Sequence, residues 1–248
     1  WSLFNLESFF STFKIRPNPY PFHNNKGEEM KNPLVSVIIP CKNEEQSVRL
    51  TVKSITDALN PLDIDYEIIV VDDSSTDKTR EEAIVAGARV LVHNINMGYG
   101  NSIMDGMKIA KYPVIAIMDA DGTYPASMLP AMIKEASTHD MVVGSRIWTD
   151  DNTSTIGKFL RKALYYVILY FSNIKARDYN SGFRVFHKFN TLDYRPILCP
   201  TFSFTTSLTL LYLLMLKSIS FMDIEYSKRI GASKVSYVRD AIRTFSYV

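Results

Sequence analysis

The chain has 248 residues, of which 46% are hydrophobic and 22% charged, and its formal net charge is +2. This composition is typical of a folded globular protein and excludes a disordered or low-complexity chain. The small net charge argues against a dedicated nucleic-acid-binding protein. The two cysteines, Cys41 and Cys199, provide neither a disulfide framework nor a metal-ligand spacing.

Charge is distributed unevenly along the chain. Residues 1–150 carry 14 Lys and Arg against 20 Asp and Glu, whereas residues 151–248 carry 14 against 6. The acidic part is suited to a metal ion, and the basic part to phosphate or an anionic membrane surface. No apolar run reaches the roughly 18–20 residues that cross a bilayer, since the longest, "ALYYVILYF" and "SLTLLYLLML", reach about half of that.

The first predicted element is an N-terminal arm, residues 1–31. Its apolar residues Leu3, Leu6, Phe10 and Phe13 recur at helical spacing, and the stiff stretch "RPNPYP" follows them. Such a stripe is typical of a helix packed against a core and also of a helix lying on a membrane. The arm is therefore expected to be amphipathic, with both locations open.

From Pro33 to Arg146, apolar β-branched runs alternate with helical stretches. Strands are predicted at "LVSVIIP", "YEIIVVDD", "ARVLVHN", "VIAIMDAD" and "DMVVGSR". Nearly continuous Val and Ile runs separated by helices predict an α/β fold with a parallel sheet covered on both faces. Such sheets bind ligands at the carboxyl ends of their strands, where this chain has "PCKNE", "DDSS", "DADG" and "GSR".

The character of the sequence changes after this region. Residues 156–176, "IGKFLRKALYYVILYFSNIKA", predict an amphipathic helix that either packs on the sheet or lies at a membrane interface. Further along, a strand is expected at "SFMDIEYSK" and a basic turn at "KRIGASK".

The clearest chemical signal is the pair Asp119 and Asp121 in "DADG". In an extended segment both side chains point the same way, and the two charges repel unless a cation lies between them. They are suited to a hard divalent ion whose remaining ligands are water and phosphate oxygens. An isolated D-x-D is more often a surface turn, but the polar residues gathered along one sheet edge favour the ion site.

Other polar residues at this edge suggest a diphosphate site. Asp72 and Asp73 follow a buried strand and can accept hydrogen bonds from a base or a ribose. Gly98 and Gly100 open a helix where the backbone is expected to approach a neighbour closely. A further set consists of cationic side chains that are suited to binding phosphate and have no acidic partner evident from the sequence: Arg146, Arg184 and Lys234.

Seven motifs spread over residues 35–234 carry a family resemblance: "VSVIIPCKNE", "IIVVDDSSTDKT", "NMGYGNSIMDGM", "MDADGTYP", "GSR", "SGFRVF" and "RIGASK". The chain resembles family 2 glycosyltransferases of the GT-A fold, in particular the polyprenyl- and dolichyl-phosphate hexose (mannose or glucose) synthases. The resemblance implies a nucleotide-diphospho-sugar transferase fold with a mostly parallel central sheet, helices around it, and amphipathic interfacial helices in the C-terminal part.

The resemblance also implies a domain plan and a set of site residues. A glycosyltransferase domain is expected at 32–234, with a donor-binding part at 32–147 and an acceptor- and membrane-facing part at 148–234, and residues 235–248 are expected to form a C-terminal helix leading towards transmembrane segments. Catalytic roles fall on Asp121, Arg146, Arg184 and Lys234. Donor binding falls on Pro40, Lys42, Glu44, Val70, Asp72, Asp73, Gly98, Asp119, Ala120, Asp121, Thr123, Arg146, Lys228 and Lys234. Acceptor binding falls on Thr123, Arg161, Ser181 and Arg184, and Mg²⁺ or Mn²⁺ is expected on Asp119 and Asp121.

One departure from the family pattern concerns the basic turn. The family usually has an Arg six residues before the Lys of its G-x-S-K turn, and here that position is Lys228 with Arg229 beside it. Which of the two binds phosphate is therefore open.

The expected activity is an inverting, metal-dependent transfer of a hexose from a GDP- or UDP-sugar to a polyprenyl or dolichyl phosphate. Transfer to a sugar hydroxyl needs a general base, and the chain has neither the "ED" nor the "RW" dipeptide of related enzymes that do this. A lipid phosphate is already an anion and needs cations to position it. The alternatives are a polysaccharide or other soluble acceptor, or a catalytically silent nucleotide-sugar-binding subunit. A membrane surface is the expected partner, with the active site on its cytoplasmic side.

Overall fold

The computed structural model describes residues 34–147, 178–227 and 229. The predicted arm, the helix at 156–176, Arg161, Lys228, Lys234 and the C-terminal helix lie outside the described residues. So do the domain boundaries at 31/32 and 234/235.

Seven strands and six α-helices are described. The strands are β1 (Val35–Cys41), β2 (Tyr66–Asp72), β3 (Arg89–Val92), β4 (Val114–Ile117), β5 (Met141–Ile147), β6 (Arg184–His187) and β7 (Ile219–Glu225). The helices are α1 (Val48–Leu59), α2 (Thr79–Val85), α3 (Tyr99–Ile109), α4 (Leu129–Glu135), α5 (Phe189–Leu192) and α6 (Phe204–Leu214). The strands and helices predicted between Pro33 and Arg146 are confirmed as elements, and so is the strand predicted near "SFMDIEYSK".

The strands form one sheet in the order β3-β2-β1-β4-β6-β5-β7. One strand, β6, runs antiparallel to both β4 and β5. The short sequence of β6, "RVFH", gave no periodic signal of its own. The remaining pairs are parallel, so the sheet is mostly parallel, as the GT-A fold requires.

The sheet is buried because its strands are apolar on both faces. One core cluster packs α1 and α4 against one face through residues such as Val52, Ile55 and Met132. The other cluster packs α3 and α6 against the opposite face, with Ile103 and Phe204 among its members. Strand residues alternate between the clusters, since successive side chains of a strand point to opposite faces.

The chain order of the strands creates a crevice at the edge of the sheet. From β1 the chain runs outward through β2 to β3 and then returns to form β4 on the other side of β1. In open α/β sheets, ligands bind at the carboxyl ends of the strands where the direction reverses in this way. Here that point lies between the loops that follow β1 and β4.

Candidate active site

Asp119 and Asp121 lie in the loop after β4, at the reversal point of the sheet. Asp119 is partly accessible and Asp121 is buried. Burial and the nearby charge of Asp121 raise the pKa of Asp119 to about 6, although a hydrogen bond from Tyr99 opposes the shift. The raised pKa indicates that keeping both carboxylates charged side by side costs free energy, and a bound cation would reduce that cost.

Each carboxylate has one oxygen held by a neutral donor. The Tyr99 hydroxyl donates to Asp119 Oδ1 at 2.8 Å. The Thr123 hydroxyl and backbone N–H donate to Asp121 Oδ1 at 2.7 and 3.1 Å. Thr123, predicted to bind donor and acceptor, is almost fully buried, and its hydroxyl orients Asp121.

A cation does lie next to the pair, and it is Arg229. Its guanidinium is 3.6 Å from Asp121 Oδ2 and also forms an ion pair with Glu44 Oε1. Its Nε is buried and has no hydrogen-bond partner among the residues that the structure describes. Arg229 thereby joins the loop after β1 to the loop after β4, across the crevice.

The loops after β1 and β2 are bonded to each other. The backbone N–H groups of Asn43 and Glu44 donate to the hydroxyls of Ser75 and Thr79 at 2.9 and 2.7 Å, and Asn43 Oδ1 accepts from the Thr76 N–H at 2.8 Å. These bonds form a connected wall on the β1–β2 side of the crevice. Lys42 lies in this wall and is half-buried.

The predicted donor residues on β1 and β2 differ in what they can offer. Asp72 ends β2, and its Oδ1 accepts the Ser75 N–H at 3.0 Å. Pro40 is buried at the end of β1. The Val70 side chain is fully buried in the core cluster on one face of the sheet.

The Asp73 carboxylate binds the segment 93–98 of the protein and does not line an open site. One carboxylate oxygen accepts from His93 Nδ1 at 2.9 Å and from the Met97 N–H at 2.7 Å, and the other accepts from the Gly98 N–H at 2.8 Å. Both oxygens are thus engaged by the protein.

The predicted close approach at the glycines of "GYG" is made to the protein itself. A Cβ on Gly100 would lie 2.3 Å from the Cys199 carbonyl oxygen, and one on Gly98, where φ is +93°, would lie 3.1 Å from that of Pro200. The start of α3 therefore packs against residues 199–201. Ala120, also predicted to bind the donor, is buried, and its carbonyl accepts from the Thr51 hydroxyl at 2.9 Å.

Arg146 has an acidic partner, contrary to the sequence prediction. Its Nε and Nη2 donate to the two oxygens of Asp178 at 2.6 and 2.8 Å. Burial would lower the pKa of Arg146, but these bonds to Asp178 raise it overall. The guanidinium also lies over the Tyr226 ring, 5.3 Å from its centroid. Sequence reasoning missed Asp178 because the two residues are far apart along the chain.

Arg184, predicted to contact the acceptor, is fully buried. It donates to the carbonyls of Ser181 and Tyr179 at 2.7 and 2.6 Å and to the Thr209 hydroxyl at 2.7 Å. Burial lowers its pKa to about 10, with Asp178 opposing the shift. Ser181, predicted to bind the acceptor, is likewise fully buried. Both residues shape the 179–182 loop.

Within the residues that the structure describes, no cluster of three or more His, Cys, Asp and Glu side chains could hold a metal. Two carboxylates are nevertheless the usual protein share of a magnesium site, since substrate phosphates and water complete it. Among the described helices, none is long and apolar enough to cross a membrane.

The sheet and its crevice define the class of this protein. It has a nucleotide-diphospho-sugar transferase fold with a paired-carboxylate site. The family model for glycosyl transferase family 2 matches residues 36–193. The chain therefore belongs to glycosyl transferase family 2, and it is a glycosyltransferase.

Curated relatives are matched over part of their length. An uncharacterised glycosyltransferase of Mycobacterium tuberculosis is 36% identical over 118 residues, covering 47% of this chain and 50% of the relative. An undecaprenyl-phosphate 4-deoxy-4-formamido-L-arabinose transferase of Pseudomonas fluorescens is 28% identical over 68% of this chain and 48% of the relative. A dolichol-phosphate mannosyltransferase of Pyrococcus furiosus is 36% identical over 45% and 33%. The matches thus span a third to a half of these relatives.

Solved structures confirm the fold. Glucosyl-3-phosphoglycerate synthase from Mycobacterium tuberculosis, in complex with Mn²⁺, UDP and glucosyl-3-phosphoglycerate, superposes with a TM-score of 0.67 at 17% identity, covering 94% of this chain and 85% of that one. Its complex with Mn²⁺, UDP-glucose and phosphoglyceric acid gives 0.69 at 14% identity, with 100% and 82% covered.

Proposed function

We propose that the protein transfers a hexose from a GDP- or UDP-sugar to a polyprenyl or dolichyl phosphate, with inversion at the anomeric carbon and with Mg²⁺ or Mn²⁺. The observation that carries this proposal is the pair Asp119 and Asp121 at the reversal point of the sheet. The pair faces a wall built from the loops after β1 and β2, which is where a nucleotide binds in folds of this kind.

The two carboxylates fit a divalent ion. One oxygen of each accepts a hydrogen bond from a neutral hydroxyl, of Tyr99 or Thr123, and Arg229, 3.6 Å from Asp121 Oδ2, offsets only part of the negative charge of the pair. A bound ion would supply charge neutralisation for the leaving diphosphate. The solved complexes with Mn²⁺ and UDP in the same fold support a divalent ion.

In this proposal Arg229 binds the donor diphosphate, and Lys228 does not need to. Arg229 bridges Glu44 and Asp121, and its buried Nε–H has no partner within the described ranges of the chain. A phosphate oxygen at the crevice would satisfy that donor, and a charge-assisted bond of this type is roughly twice as strong as a neutral one. Lys42 and Asp72 remain the proposed contacts to the nucleoside.

Asp73 and Arg184 enter the proposal as positioning residues. Asp73 fixes the segment that leads into α3, and Arg184 fixes the 179–182 loop. Arg146 is proposed to orient phosphate while its guanidinium is paired with Asp178.

The acceptor class is proposed from chemistry and from the relatives. A lipid phosphate is its own nucleophilic anion, so the step needs orientation and no general base. The relatives named for undecaprenyl phosphate and dolichol phosphate support this class. Arg161 and Lys234 are the proposed acceptor and phosphate contacts in the basic part of the chain, residues 148–234, which we propose to face the cytoplasmic surface of a membrane.

A labelled-sugar transfer assay tests the proposal. GDP- and UDP-linked sugars are offered with Mn²⁺, and either a polyprenyl phosphate in vesicles or a soluble acceptor such as 3-phosphoglycerate is added. The proposal expects label in the organic phase only with the lipid phosphate. Label that stays in the aqueous phase as a new glycoside would replace the lipid with a soluble acceptor. Metal-dependent binding of the donor without hydrolysis or transfer would point to a silent subunit.

A further inference from the structure

Besides its own loop, the Asp119 carboxylate contacts two residues to which neither the sequence motifs nor the family resemblance gives a role. The Tyr99 hydroxyl donates to Oδ1 at 2.8 Å. A Cβ built on Gly182 would lie 2.7 Å from Oδ2, 2.9 Å from Oδ1 and 2.9 Å from the Tyr99 hydroxyl oxygen. The hydroxyl and the bare Cα of Gly182 therefore bound the space in which this carboxylate sits.

We propose that Tyr99 and Gly182 are positioning residues that hold the Asp119 carboxylate in the orientation in which it meets a divalent cation. The inference rests on the proposed function, because it assigns a task within the same metal–diphosphate site. Neither residue needs to touch the cation or the substrate.

Tyr99 is itself firmly held. It opens α3 immediately after Gly98, whose N–H is bonded to Asp73 together with that of Met97. Its ring packs against Phe202 with centroids 5.6 Å apart. The hydroxyl is thus aimed from a fixed helix start, and Asp73 acts on Asp119 through Tyr99.

Gly182 cannot retreat from the carboxylate. Its N–H donates to the Tyr124 hydroxyl at 2.8 Å, and Arg184 binds the carbonyls of Ser181 and Tyr179 just before it. A methyl group at this position would displace the carboxylate of Asp119, because a contact under 3 Å requires one of the two groups to shift. The lack of a side chain at Gly182 is thereby tied to the geometry of the metal ligand.

The chemistry of the donor fits this task. Within the described part of the chain, Tyr99 is the side chain that donates to Asp119. A neutral hydroxyl fixes the position of an oxygen but leaves the charge of the carboxylate for the cation, whereas a Lys or Arg would neutralise it. Groups that orient ligands from behind typically contribute 10- to 100-fold in metal affinity.

The test measures Mn²⁺ binding without turnover. Free Mn²⁺ is followed by electron paramagnetic resonance in the presence of UDP or GDP, for the parent and for Tyr99→Phe and Gly182→Ala. Each variant is expected to bind Mn²⁺ about 10- to 100-fold more weakly. The double variant is expected to lose little more than the worse single variant, since both changes act through one carboxylate.

Two control variants remove matched features away from Asp119. Tyr212→Phe deletes a buried hydroxyl that bonds to Thr191, and Gly106→Ala places a methyl 2.8 Å from Ile38 in the core. Both are expected to keep the parental Mn²⁺ affinity, even where their Tm falls.

The possible outcomes separate this inference from the proposed function. If the parent binds no Mn²⁺ with either nucleoside diphosphate, the metal site of the proposed function fails and the inference fails with it. If the parent binds Mn²⁺ and Tyr99→Phe binds it equally well, only the positioning role is overturned. Should Gly182→Ala fail to fold, Tyr99→Phe decides alone. Affinity lost equally in Tyr212→Phe would mark a general loss of stability and also overturn the proposal.

Discussion

The ion pair of Arg146 and Asp178 makes a quantitative prediction about stability. Two guanidinium nitrogens meet two carboxylate oxygens at 2.6 and 2.8 Å, and the side chains are only 14% and 8% exposed. Removing one partner of a buried pair costs about 3–5 kcal/mol, because a charge is left in a low-dielectric setting. For a chain of this size each kcal/mol shifts Tm by about 2–4 °C. Asp178→Ala should therefore lower Tm by about 6–20 °C.

The matched control is Asp57→Ala, which removes the partner of Lys53 at 2.6 Å in a pair whose side chains are 61% and 69% exposed. An exposed pair of this spacing contributes only about 0.3–0.5 kcal/mol. Urea denaturation gives the free energy of unfolding of both variants and of the double variant Arg146→Met with Asp178→Leu, which removes both charges of the pair. The double variant should be more stable than Asp178→Ala. A loss in Asp178→Ala no larger than in Asp57→Ala would refute the idea that the pair acts as a buried clamp.

Three further predictions concern the site, the packing of α3 and the edge of the sheet. Asp121→Asn keeps an oxygen for Thr123 but loses a ligand charge, so the rate of transfer should fall by about 100-fold or more while Tm stays nearly unchanged. The magnitude follows because even residues that only orient a metal ligand contribute up to about 100-fold. Near-parental turnover would show that Asp121 is not part of the metal site. Gly100→Ala should lower the free energy of unfolding by about 3 kcal/mol or more in urea, since its Cβ would meet the Cys199 carbonyl oxygen at 2.3 Å; a neutral result would contradict that contact. Burial alone would raise the pKa of Asp140, but bonds from Ser218 and Lys217 lower it overall. Asp140→Asn should therefore be less stable than the parent at pH 7, and the difference in stability should shrink as pH falls below about 3.9. A difference that is the same at pH 3 and pH 7 would show that it does not come from the charge of Asp140.

Local pattern was sufficient to predict the sheet and its ligand-binding edge. Nearly continuous Val and Ile runs separated by helices are typical of strands in a parallel sheet that is buried on both faces, and the acids that follow them are expected at its edge. Asp119 and Asp121 could be chosen because polar residues at the other strand ends favoured an ion site over a surface turn.

The partners of the charged residues could not be predicted, because they come from distant parts of the chain. Arg146 and Asp178 meet only once β5 and the loop before β6 are side by side, and Asp73 meets Gly98 only after α3 has been placed. Arg184 looks like a phosphate ligand in the motif "SGFRVF", yet its backbone position at the start of β6 turns it into the core.

Other residues gave no chemical signal at all in the sequence. Tyr99 reads as part of a glycine-rich helix start, and Gly182 as a turn residue. Only the distances from the Tyr99 hydroxyl and from a Cβ built on Gly182 to the Asp119 carboxylate carry the positioning role that we propose for them. In general, the residues that orient a metal-ligating side chain are harder to predict than the metal-ligating residue itself, because ordinary packing residues can orient it.

The central claim is that Asp119 and Asp121 form the metal–diphosphate site. The most direct test is an anomalous difference map from crystals of the protein soaked with Mn²⁺ and UDP or GDP. The account predicts a manganese peak within about 2–2.5 Å of a carboxylate oxygen of Asp119 or Asp121, with the diphosphate beside Arg229. A manganese peak and a nucleotide bound elsewhere on the chain, away from both carboxylates, would contradict it.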